Sequence, residues 1–347
     1  MTIDLDRLFT DPTLMFYGFE GDHARFVTMS RDSFTQSIFF DRRIKLAEPQ
    51  AYRVPLDLLL RSHAERGFVS PKLHFIHHVA QCGSTLLARA LDLPDRSQVV
   101  REPFHLRQVA IHGGAGFESA YAEADWRAML GLSLTMLAKR FVPTAPVVVK
   151  GNVPISMIAD AIGEADPGQA GILLHFPLDD YCAAVLRSDN HRAWVESVTS
   201  ELRLNQDPMV GDIDGLSTAE KAGALWFSLV KRYDRYLSSN AALRSLDANQ
   251  LFDSPAGTIV ESAKLFGIAL SDSEAKAMVD GPLFATYAKS PDQPYDPSLR
   301  VERREEAKRD LKADLDAARA WVEKQASAFT LPDSLARPLV GDPAALL

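Results

Sequence analysis

The sequence predicts an α/β protein built on a doubly wound, mainly parallel sheet. From residue 72 onward, short apolar runs alternate with longer stretches of helical period, which is the pattern of a parallel sheet flanked by helices. One of these runs, Phe75-Ile76-His77-His78-Val79, passes through a loop of small residues directly into a leucine-rich segment. No repeat at 20 to 50 residues and no low-complexity linker competes with this pattern. The 347 residues, 46% apolar and 24% charged, suffice for one large α/β domain or two smaller ones.

Three regions follow in order. Residues 1–70 form an N-terminal subdomain, in which Leu14-Met15-Phe16-Tyr17 and Arg25-Phe26-Val27-Thr28 flank a Gly21-Asp22 turn and predict a hairpin. Residues 53–66 lead into a helix that stops at Gly67. Residues 71–290 form the core, with strands expected at 73–79, 98–101, 147–150, 172–175 and 243–247. Between them, Trp126, Leu130, Leu134, Leu137 and Phe141 keep helical spacing, as do Leu225, Leu229, Tyr233 and Leu237. Residues 291–347 hold an amphipathic helix at 301–329, striped by Leu311, Leu315, Ala318, Val322 and Phe329, and a tail made non-helical by Pro332, Pro338 and Pro343. The polar face of that helix mixes both signs of charge, so it is expected to pack on the core as a solvated helix.

Charge and composition narrow the function. Lys and Arg number 38 against 46 Asp and Glu, a net charge of −8, which argues against nucleic-acid or membrane-surface partners. Two cysteines, Cys82 and Cys182, cannot build a disulfide scaffold or a cysteine-ligated zinc site. The start, Met1-Thr2-Ile3-Asp4-Leu5-Asp6-Arg7, lacks the basic and apolar regions of a signal peptide, so a cytoplasmic protein is expected. Histidines at 74, 77, 78 and 175 fall in or beside apparent strands; His77 and His78 must face opposite sides of theirs.

The segment Ala80-Gln81-Cys82-Gly83-Ser84-Thr85-Leu86-Leu87 carries the most information. A small-residue loop opening a helix directs backbone N–H groups and the positive end of the helix dipole at one spot, which suits a phosphate or sulfate. Gly83 would admit the anion close to the backbone, and Ser84 and Thr85 would add hydroxyls. A plain strand-to-helix turn capped by Ser84 would use the same residues. The kinase pattern GxxxxGK[ST] is absent, since Ser84 occupies its lysine position and His78 its first glycine. Cys82 is read as a small loop residue.

Here the chain resembles the sulfotransferase family, whose strand-loop-helix holds the 5′-phosphosulfate of 3′-phosphoadenosine 5′-phosphosulfate. The resemblance runs over residues 72–270 in order. The glycine and hydroxyls are kept, and the family's basic loop residue is replaced by Gln81. Arg101-Glu102-Pro103-Phe104 is similar to an Arg-Glu-Pro motif whose glutamate takes the acceptor's proton, which implies Glu102 as base; His105, close to it in sequence, is a second choice. Val147-Val148-Val149-Lys150-Gly151-Asn152 resembles a Leu-Lys-x-Pro strand end, which implies that Lys150 supplies the charge missing at Gln81. Ile172-Leu173-Leu174-His175-Phe176-Pro177 looks like the strand that ends in Arg-Asp-Pro, with His175 in the arginine position and Ala183 in that of the phosphate-binding serine. Arg187, or Arg300, Arg303 or Arg304, offers a replacement for that 3′-phosphate contact. Residues 243–268 resemble the family's last strand and helix.

The resemblance implies a P-loop-like sulfotransferase fold. It also implies transfer of a sulfuryl group from 3′-phosphoadenosine 5′-phosphosulfate, as donor substrate and without a metal, to a small-molecule or carbohydrate-like hydroxyl acceptor. Gln81, Cys82, Gly83, Ser84, Thr85, His175 and Arg187 would hold the donor, and Glu102, Lys150 and His105 would do the chemistry. Two alternatives stay open: a noncatalytic nucleotide- or anion-binding protein of the same fold, and a P-loop-type kinase. Residues 1–70, the 104–116 stretch and the 204–216 loop are expected to shape the acceptor pocket.

Overall fold

The computed structural model describes residues 4–113, 121–294, 296 and 299–347. Residues 114–116 of the expected acceptor loop lie outside that set. Strand β1 (Leu14–Glu20) pairs antiparallel with β2 (His23–Thr28), and β2 with β3 (Ala51–Pro55). The third strand was not legible in the sequence because only Val54 of its five residues is buried, which leaves no alternation to read. A helix, Leu56–Arg66, follows and ends at Gly67.

The core sheet contains β4 (His74–His78), β5 (Gln98–Arg101), β6 (Val147–Lys150), β7 (Gly171–His175) and β8 (Leu243–Asp247). All four pairings are parallel and the order is β5-β6-β4-β7-β8. This is the doubly wound, P-loop-like α/β class that the sequence predicts, with the strand preceding the small-residue loop at its centre. Sheets of this kind are covered on both faces, which is why their strands read as unbroken apolar runs. The register sets Arg101 beside Lys150 and His175 beside Asp247, so the carboxyl ends of the strands line up along one crevice, where doubly wound sheets bind ligands.

Side-chain alternation divides the core in two. Phe75, Val147 and Val149 face one side, where Phe16 and Phe26 of the N-terminal sheet and the helices Phe104–His112 and Glu123–Leu137 cover them. Residues 1–70 therefore share a core with one face of the parallel sheet. Ile76 and Val148 face the other side, against Trp226, Leu229 and Tyr233 of the helix Thr218–Ser239.

The C-terminal stretch departs from expectation. Residues 301–329 form two helices, Arg300–Asp310 and Lys312–Ala328, because the chain leaves helical geometry at Leu311 (φ −98°, ψ 14°). Leu315, Ala318, Trp321 and Val322 are buried, whereas Phe329, placed in the stripe on spacing, is 37% exposed. Gly223 lets the second of these helices close in, since a Cβ there would lie 3.0 Å from the Ala318 carbonyl oxygen. The tail then lies along β8, where Ser245 N–H donates to Arg337 O and Leu339 N–H to Ser245 O, pairing an otherwise open sheet edge. A short hairpin of β9 (Thr286–Tyr287) and β10 (Ser290–Pro294) was not anticipated. Among the described residues no helix is long and apolar enough to cross a membrane.

Candidate active site

The loop between β4 and the helix Ser84–Ala90 adopts an unusual backbone. Ala80 (φ +81°), Gln81 (φ +51°) and Gly83 (φ +78°) are all left-handed, which costs a non-glycine residue roughly 1–2 kcal/mol. His78 holds the turn in place. Its Nδ1 accepts the Ala80 N–H at 3.0 Å and its Nε2 donates to the Gly151 carbonyl at 2.8 Å, which ties the loop to the end of β6. Burial, then the charge of Lys150, pushes this imidazole well below its usual pKa, so it stays neutral. Gly83 has a steric reason as well as a conformational one. A Cβ there would meet Phe252 Cζ at 2.8 Å and Leu251 Cδ2 at 3.0 Å. Ser84 and Thr85 are buried, and Thr85 Oγ1 has no hydrogen-bond partner among the described residues.

At the ends of β5 and β6, Glu102 and Lys150 form an ion pair. The Lys150 side chain is 1% exposed and that of Glu102 18%, so the lysine depends on the carboxylate for compensation while the carboxylate still reaches solvent. Glu102 is itself left-handed (φ +57°), and its N–H donates to the Lys150 carbonyl at 2.7 Å. Lys150 thus holds both the backbone and the side chain of the candidate base. The charge that Lys150 was expected to supply at Gln81 is spent on Glu102.

Two cavities open at this edge of the sheet and share Gln81 as a wall. The larger, about 650 Å³, is lined by Glu102, Lys289, Asn152, Phe39, Phe104 and Trp194, among others. Asn152 is 9% exposed and its Oδ1 lacks a partner among the described residues. Arg43 and Asp41 on one wall, and Arg107 and Glu201 on another, are ion-paired. The smaller cavity, about 440 Å³, runs from Gly83 past Ala183 and Phe252 to Arg187, Arg300, Arg303 and Arg304. Arg300 lies 4.0 Å over the Phe252 ring, and Arg300 and Arg304 both donate to Asn249 Oδ1, at 2.8 and 2.7 Å. Arg187 donates to His191 Nε2 at 3.2 Å. Four guanidinium groups in one cavity suit a multiply charged anion.

Several expectations are corrected. His105 cannot serve as a base at this site: it is 1% exposed, stacks on Phe16 at 4.6 Å inside the N-terminal core, and burial lowers its pKa to about 3. His175 lines neither cavity. It is buried with Nε2 unpartnered among the described residues and its pKa lowered to about 4 by burial, so it is no substitute for an arginine. Cys82 is fully buried, with its thiol pushed up to about 11 by burial, and packs in the core behind the loop. Arg101 also turns inward, pairing with Asp92 at 2.7 Å and donating to the carbonyls of Phe34 and Ser37. The 204–216 loop contributes nothing to the larger cavity, whose wall there comes from Trp194, Val198 and Glu201.

One residue escaped the sequence reading. Lys289, at the turn between β9 and β10, donates from Nζ to Gln81 Oε1 at 3.2 Å. Partial desolvation of its ammonium in the cleft, then the charge of Lys150, lowers its pKa. The only available signal was that it is the one charged residue between Asp280 and Asp292. Among the described residues no cluster of three His, Cys, Asp or Glu side chains could hold a metal ion.

No family model matches the sequence, and no curated protein matches it. Solved structures similar to this chain include a sulfotransferase domain from the curacin biosynthetic pathway, 12% identical, covering 76% of this chain and 98% of that one at a TM-score of 0.42. A sulfotransferase from Mycobacterium tuberculosis is 16% identical and covers 73% of this chain and 82% of its own at 0.38. One from Alicyclobacillus acidocaldarius is 15% identical and covers 76% and 100% at 0.33. These are structures the chain is similar to; its own architecture, read from the sheet order, is the doubly wound α/β fold.

Proposed function

We propose that this protein transfers a sulfuryl group from 3′-phosphoadenosine 5′-phosphosulfate to the hydroxyl of a small or carbohydrate-like acceptor. The observation that carries the reading is the pair of cavities meeting at Gln81, one rich in arginine and the other walled by Glu102. The donor's adenosine would stack among Phe252, Phe284 and the apolar wall of the smaller cavity, with its phosphates against Arg187, Arg300, Arg303 and Arg304. The acceptor would fill the larger cavity, whose volume suits a small ligand and whose Phe39, Phe104 and Trp194 suit the apolar face of a ring.

Glu102 then takes the proton from the acceptor hydroxyl. The acceptor oxygen bonds to sulfur as the sulfur–oxygen bond to the 5′-phosphate breaks, and adenosine 3′,5′-bisphosphate leaves with the electron pair. The buried Lys150 holds Glu102 in place for this step. A cytoplasmic setting accords with two buried, unpaired thiols.

The test is a thermal melt followed by a transfer assay with radiolabelled donor and a panel of hydroxyl compounds. Adenosine 3′,5′-bisphosphate is expected to raise the melting temperature, because it binds only the folded state. Stabilisation by ATP with magnesium and none by the bisphosphate would point to a phosphotransferase and overturn the proposal. Binding of the bisphosphate without transfer to any acceptor would leave the noncatalytic reading.

A further inference from the structure

Breaking a sulfur–oxygen bond to phosphate builds negative charge on the bridging oxygen, and a positive group fixed against that oxygen is a large source of rate. The loop at residues 79–83 contains no cation, and Lys150 is ion-paired with Glu102. A second positive charge reaches the loop from 208 residues further along the chain, where Lys289 Nζ contacts Gln81 Oε1. Gln81 lines both cavities, Lys289 lines the larger, and the neighbouring Ala288 lines the smaller, so the β9–β10 turn sits over their junction. The helix that follows the loop anchors this turn, since Arg89 Nη1 donates to the Ala288 carbonyl at 3.1 Å.

We propose that Lys289 is a catalytic cation which, when donor binds, exchanges Gln81 for the transferring sulfuryl group and the bridging oxygen. The hairpin thereby provides what the loop lacks. This rests on the sulfuryl-transfer reading above. Glu102, Lys150 and Lys289 together carry one net positive charge, and Glu102 becomes neutral as it accepts the proton, so the positive field on the leaving group is greatest when the bond breaks.

The experiment compares full-length wild type, K289A and the double variant Q81K/K289A. Each is titrated with the intact donor and with adenosine 3′,5′-bisphosphate, and each is assayed for turnover. K289A is expected to lose about 10²–10³-fold in kcat. It should also lose roughly tenfold in affinity for the donor while its affinity for the bisphosphate, which lacks the sulfuryl group, stays within about threefold. Moving the charge back to the loop in Q81K/K289A should recover at least about tenfold of the lost turnover. Unchanged donor affinity in K289A, equal loss for donor and bisphosphate, or no recovery in the double variant would each overturn the proposal. If wild type binds neither nucleotide, the sulfuryl-transfer reading falls and takes this inference with it. If wild type is active and K289A matches it, only the role of Lys289 falls.

Discussion

Replacing Glu102 by Gln removes one charge and keeps the shape and an acceptor oxygen. The structure makes a sharp demand of this variant, because the Lys150 side chain is only 1% exposed and Glu102 is its sole ion-pair partner among the described residues. Stranding a buried charge costs about 3–5 kcal/mol. The Glu102 side chain retains 18% exposure, so water reaches the pair from the carboxylate side, and Gln still accepts one hydrogen bond. Both bring the loss to or somewhat below the low end of that range, about 2–3 kcal/mol. Urea unfolding at neutral pH reads this directly. The double variant E102Q/K150M removes the stranded charge as well and should fall within about 1 kcal/mol of wild type, since a neutral apolar pair of similar size is tolerated in a buried site. Turnover should drop about 10²–10⁴-fold in E102Q with bisphosphate affinity unchanged, the signature of a lost base. An E102Q protein within about 0.5 kcal/mol of wild type, or one that retains turnover, would refute the account of the pair.

Gly83→Ala forces a Cβ into a left-handed residue and within 2.8 Å of the Phe252 ring; a loss of about 1–3 kcal/mol is expected in a denaturant melt, together with weakened bisphosphate binding. His77 and His175, each with a pKa lowered to about 4, and His105, lowered to about 3, stay neutral in the fold, whereas in the unfolded chain they protonate near their ordinary value of about 6.5. Their contribution is therefore complete above that pH and is lost as pH falls toward 4, at up to about 1.4 kcal/mol per pH unit for each histidine. Denaturation curves near pH 7.5 and pH 5 should differ by several kcal/mol, and equal stabilities would contradict the buried, neutral imidazoles. Cys82 and Cys182 are buried with thiol pKa values raised by burial, so neither should react with a disulfide reagent at about pH 8 until the protein is unfolded.

The parallel sheet was legible because burial on both faces makes strand runs apolar without interruption, as in Val147-Val148-Val149 and Ile172-Leu173-Leu174. The small-residue loop could be read because its glycine has no substitute against Phe252. Strand β3 could not, since only Val54 of its five residues is buried, and the β9–β10 hairpin could not, since the sequence of its strands, Thr286-Tyr287 and Ser290-Pro291-Asp292-Gln293-Pro294, carries no apolar alternation. The pair Glu102 and Lys150 was named from sequence, yet their mutual contact was not, because it depends on β5 and β6 lying side by side in register. His105 illustrates the opposite failure. It lies three positions after Glu102 in sequence, but the helix beginning at Phe104 turns its ring onto Phe16 in the other core.

By itself, then, the sequence determined the five strands of the parallel sheet in chain order, the loop at residues 79–83, and the carboxylate and lysine at the strand ends, since these follow from local periodicity and backbone freedom. Only the tertiary structure decided which charges meet. Lys289 reaches Gln81 across 208 residues, and Arg187, Arg300, Arg303 and Arg304 converge on one cavity while Arg101 turns inward to Asp92. The physical reason is that a charge acts through its neighbours in space over a few ångströms, and those neighbours are set by the packing of distant elements, which no local pattern records.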